Sequence, residues 1–139
     1  VLVLRVIFAI VAGFSVWSAL WLAGNTGIKS HEPWSFTEGE PYTERAPLLA
    51  ALGLSVVCSL IGGACAAAIA RELRRAALIL LSLALVSVGA AIQAQVWQLM
   101  PLWYHLMFLL LLPPATLLGG RLIRESQPLP EPAGPPRSP

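Results

Sequence analysis

Residues 6 to 28, 46 to 70 and 76 to 120 contain no aspartate, glutamate, lysine or arginine. One helix needs about 20 apolar residues to cross bilayer hydrocarbon, so the first two windows fit one crossing each and the third, 45 residues long, fits two. As a single rod the third window would run to about 68 Å, twice the hydrocarbon thickness. It must turn back, and Gln98-Leu99-Met100-Pro101 is the natural place, because Pro101 lacks an amide donor and suits the first turn of a new helix. The expected fold is an all-α membrane protein: a four-helix transmembrane bundle over residues 1–122, with spans at about 2–23, 47–70, 76–97 and 102–118 and a loop at 24–46.

Composition agrees, with 57% hydrophobic and 12% charged residues and a mean hydropathy of +0.74. Nine basic against seven acidic residues leave no basic face broad enough for nucleic acid. The partner implied first is the lipid bilayer itself. The apolar run from Val6 to Ala23 exceeds the core of an ordinary secretion signal, and no small-x-small site closes it before Asn25, so a retained first span is expected. Residues 123–139 are proline-rich and nearly free of large apolar side chains, the composition of a disordered tail.

Basic residues set the expected orientation. Arg5, Arg71, Arg74, Arg75, Arg121, Arg124 and Arg137 flank one side, against Lys29 and Arg45 in the 24–46 loop. Seven against two is a positive-inside bias that places both termini in the cytoplasm. The loop then faces outward and carries His31, Glu32, Glu38, Glu40 and Glu44. Within it Ser35 with Glu38, or Thr37 with Glu40, has the spacing of a capping box.

All five tryptophans, Trp17, Trp21, Trp34, Trp97 and Trp103, fall on the outer side, as do Tyr42 and Tyr104. One explanation is anchoring, with arginines on one surface and aromatic rings on the other. The other is an aromatic cavity between the spans. Gln93, Gln95 and Gln98, with His105 in the first turn of the fourth span, favour a polar site there, because such groups should turn from hydrocarbon toward other helices or water. Ser87, Ala91, Gln95 and Gln98 follow helical spacing and share a face. The candidate ligand or interhelical polar site is therefore Gln95, Trp97, Gln98, Trp103, Tyr104 and His105. Simple interhelical hydrogen bonding would explain the same residues.

In the second span Ser55, Ser59, Gly63 and Ala67 recur every four residues, beside Gly62, Ala66 and Ala70. Small residues at that spacing let backbones approach, either inside the bundle or in a homo-oligomer. Pro113-Pro114 removes two backbone donors from the fourth span.

Named chemistries find little support. His31 and His105 have no companions at metal-ligand spacing, so no metal site is expected. Cys58 and Cys65 lie about 10 Å apart along one helix, too far to bridge, and form no Cys-x-x-Cys. A haem would need a second axial ligand within the membrane. No span holds an acidic residue, which argues against ion-coupled transport. Neither a cofactor nor a catalytic residue is expected.

The segment Pro101-Leu-Trp-Tyr-His-Leu-Met-Phe-Leu-Leu-Leu-Leu-Pro-Pro, followed by Leu117-Leu-Gly-Gly-Arg-Leu122, resembles small, uncharacterised bacterial membrane proteins with four spans. The similarity extends to Arg5-Val-Ile-Phe-Ala-Ile-Val-Ala-Gly-Phe and to the Ala-Ile-Ala-Arg end of the second span. It implies a multi-pass protein of a bacterial inner (plasma) membrane and brings no activity with it. The expected role is a non-enzymatic structural or accessory protein with a membrane-protein partner or a second copy. The alternative is binding or transport of a lipid-like or quinone-like molecule at the outer aromatic site.

Overall fold

A computed structural model describes residues 1–31, 39–42 and 44–125. Among them the chain is all-helical: α1 (Leu2–His31), α2 (Arg45–Ile69), a short 3-10 turn (Arg71–Leu73), α3 (Arg74–Gln95) and α4 (Leu102–Glu125). All four α-helices are long and apolar enough to cross a membrane. Ser35, Thr37 and Glu38 of the capping-box pairs, Trp34 and the tail beyond Glu125 lie outside the described residues.

Two helices outrun their expected spans. α1 continues past Ala23 to His31 because its polar side chains bond back into the helix: Asn25 donates to the Trp21 carbonyl at 3.1 Å, Thr26 to Leu22 at 2.9 Å and Ser30 to Gly27 at 2.9 Å. Such local bonds extend a helix into its polar end without orphaning donors. α4 runs through Pro113 and Pro114 and on to Glu125. The expected ends at residues 23 and 118 stop one short of Gly24 and Gly119, and both glycines are contact points. A β-carbon on Gly24 would strike the Leu54 side chain, and one on Gly119 would strike the Leu60 carbonyl.

α2 lies at the centre, packed on all three other helices. Its two adjacent glycines serve different neighbours. Gly63 lies against the Thr116 backbone of α4, while Gly62 and Gly13 of α1 face each other so closely that a β-carbon on either would come within 2.9 Å of the other's carbonyl oxygen. Lipid supplies no hydrophobic force between helices, so close backbone approach and dispersion hold these pairs. Ser55, Ser59 and Ala67 are also buried. Trp17 joins α1 to α2 by donating its indole N–H to Ser59 Oγ at 3.0 Å, and Ser59 in turn donates to the Ser55 carbonyl at 2.7 Å.

Tight turns make α2, α3 and α4 alternate in direction, so α2 and α4 run parallel and cross where Leu60 meets Gly119 and Gly63 meets Thr116. Arg5, Arg71, Arg74, Arg75 and Arg121 collect at one end of the bundle, while Trp21, Trp97 and Trp103 lie toward the other and Trp17 near the middle of α1. The outward faces are apolar, with Leu4, Phe8, Leu83 and Leu110 each more than half exposed. A water-soluble protein of this size would not leave so much aliphatic surface uncovered.

Candidate functional site

α3 buries Leu78, Leu81, Ser82, Leu85, Gly89 and Gln93. These follow i, i+3, i+4 spacing, so Gln93 continues the inward face one turn beyond Gly89. It meets His105, in the first turn of α4, whose side chain is 1% exposed. His105 Nδ1 lies 2.6 Å from Gln93 Oε1, and Nε2 lies 3.3 Å from the Trp97 carbonyl. The Trp97 indole stacks on the imidazole at 4.6 Å and 10°. Tyr104, the preceding residue, is also buried and meets the imidazole edge-on at 6.1 Å.

The His105–Gln93 pair has two self-consistent proton arrangements. With the proton on Nδ1, His105 donates to Gln93 Oε1. With the proton on Nε2, His105 donates to the Trp97 carbonyl and the reversed Gln93 amide donates to Nδ1.

Tyr104 also lines a cleft of about 340 Å³ at the tryptophan end. Trp17 and Trp21 from α1 form one wall, stacked at 5.5 Å, and Phe108 from α4 meets Trp21 edge-on at 5.3 Å. Gln93 also lines it, near the end of α3. Asn25 and Lys29 line the cleft toward the polar end of α1. From Lys29 to Trp17 it extends about 18 Å along α1 at 1.5 Å per residue. The Tyr42 backbone N–H donates to the Leu99 carbonyl at 2.7 Å, tying the chain before α2 to the α3–α4 turn beside the cleft.

No protein-family model, curated protein or solved structure matches this chain. What the site can do is therefore read from its own residues.

The candidate residues separate into three groups. Tyr104 and His105 are buried together, with Tyr104 on the cleft and His105 behind it. Trp97 covers His105 but is 50% exposed, and Trp103 touches Tyr104 edge-on while remaining 37% exposed. Neither lines the cleft. Gln95 is exposed together with Ser87 and Ala91, so that face of α3 turns outward instead of toward a neighbouring helix, and Gln98, also exposed, lies beyond the helix end in the turn before α4. Gln95 reaches back only to the Ala91 carbonyl, at 3.5 Å.

The two explanations for the one-sided aromatics thus apply to different rings. Trp97 and Trp103 face outward as an interfacial belt would, whereas Trp17 and Trp21 face the cavity. Composition alone does not reveal the inward role of Trp17, Trp21 and Phe108. A usable signal was present for Trp17, which sits four residues from Gly13 on the face that meets α2. Among the described residues no three His, Cys, Asp or Glu side chains converge on one point, and both cysteines are free.

Proposed function

We propose that this chain is a non-enzymatic, multi-pass protein of a bacterial inner membrane that holds a lipid-like or quinone-like molecule in its aromatic cleft. The arginine end faces the cytoplasm and the cleft opens in the outer half of the bilayer, as the distribution of basic residues favours. The observation that carries the proposal is the pairing of aromatic walls with the polar side chains of Tyr104 and Gln93 in one cleft. Its volume of about 340 Å³ suits a small ligand. The indoles of Trp17 and Trp21 offer flat faces for a ring. Tyr104 can meet a carbonyl as donor or a hydroxyl as acceptor, the two forms a quinone-like head presents.

Purification in native lipid followed by mass spectrometry should recover a small molecule at one per protein, and Gln93→Leu with Tyr104→Phe should lose it. A short-chain ubiquinone should quench the fluorescence of the wild type more than that of the double variant. Stoichiometric recovery of a protein partner with no small molecule would favour a purely accessory role. Reporters fused at the Arg71 turn and after Glu125 should read cytoplasmic; periplasmic readings would overturn the orientation.

A further inference from the structure

At the opposite end of the bundle, three arginines from two helices line one cleft. Arg74 and Arg75 open α3, Arg121 lies in the late turns of α4, and the space between them is about 590 Å³. Leu78, Ile79 and Leu117 supply its apolar lining. Gly120 also lines the cleft, and a β-carbon there would strike Leu78. We infer that this cleft binds the phosphate-bearing headgroup of an anionic phospholipid, with the lipid's acyl chain on the Leu–Ile floor.

Three observations separate this from the general excess of arginine on one side. First, Arg74 Nε is buried and has no hydrogen-bond partner in the protein. A buried donor without an acceptor costs stability, and an anion in the cleft supplies one. Second, among the described residues none of the three arginines pairs with a carboxylate, so their charge is available to a ligand. Third, arginine surrounds phosphate oxygens with forked N–H pairs, and basic pockets between transmembrane helices are a known setting for anionic headgroups. The floor decides the source of the phosphate. Ile79 is 54% exposed and Leu117 37% exposed directly beside the arginines, surface that a free phosphate ion would leave unused and an acyl chain would cover. Arg5 and Arg71 occupy the same end without lining this cleft, which makes them internal controls.

The proposal requires insertion in a membrane but not occupancy of the aromatic cleft, so the two stand or fall separately. The full chain is reconstituted in nanodiscs of phosphatidylcholine with a minor fraction of phosphatidylglycerol, and the lipid retained after detergent extraction is counted by native mass spectrometry. Wild type should retain one phosphatidylglycerol per protein. Each of Arg75→Gln and Arg121→Gln, both at exposed positions, should weaken retention by about fivefold, and the triple variant with Arg74→Gln by roughly 100-fold. Arg5→Gln with Arg71→Gln should retain the lipid as wild type does. Equal loss in that control, or undiminished retention in the two single variants, would overturn the inference. Displacement of the lipid by millimolar inorganic phosphate, with no preference between the two lipids, would reassign the site to a free anion and overturn it equally.

Discussion

A β-carbon added at Gly63 would overlap the Thr116 carbonyl oxygen and lie 2.9 Å and 3.1 Å from the Thr116 carbonyl carbon and Cα. These are backbone atoms inside a helix, so no rotamer change relieves the contact, and α2 and α4 must move apart. Gly63→Ala should therefore destabilise the bundle by about 1–3 kcal/mol, the usual cost of overpacking. Gly53→Ala is the matched control, since a β-carbon there meets nothing within 4 Å on the same helix. It should be neutral or stabilising by at most about 1 kcal/mol, the helix-propensity gain over glycine. Reversible unfolding in mixed dodecyl sulfate micelles, followed by near-ultraviolet circular dichroism, measures the difference. Gly119→Ala strikes the Leu60 carbonyl at the same crossing, so helices already separated by the first substitution should feel the second less. The double variant should fall short of additivity by about 0.5–3 kcal/mol. A Gly63→Ala protein within about 0.5 kcal/mol of Gly53→Ala, or strict additivity of the two crossing variants, would refute the shared contact.

Gln93→Leu should cost about 1–3 kcal/mol by leaving the buried His105 Nδ1 without its partner, whereas Gln95→Leu on the exposed face should stay within about 0.5 kcal/mol of wild type; the same unfolding assay separates them. Ser82 Oγ is buried without a hydrogen-bond partner, so Ser82→Ala should hold or raise the midpoint of unfolding, and a clear fall would reveal a partner for that hydroxyl.

The four helices were legible because charge cannot be hidden in hydrocarbon, and the uncharged windows outline them almost directly. Their far ends were not, because Asn25, Thr26 and Ser30 read as loop-formers and become helix extensions once their side chains bond back to carbonyls. The faces of α3 were harder still. In a soluble helix the inward stripe is the apolar one, but here Leu83 looks out and Leu81 looks in, so hydropathy says nothing about direction. The glutamines show the consequence. Gln93 and Gln95 differ by two positions, about 200° of helical turn, and only tertiary packing decides that Gln93 is the one inside. Tyr104 and His105 were legible as interior because their polarity, next to so many leucines, had to be satisfied somewhere.

The crossing of α2 and α4 at Gly63 and Gly119 also has a mechanical meaning. It leaves no side-chain cushion between the rods, so it can serve as a fulcrum. From Gly63 to Leu48 on the cleft wall is a lever arm of about 22 Å, and a tilt of about 5° there displaces the wall by about 2 Å. A bundle pinned in this way tilts most at its Leu48 wall and least at its arginine end.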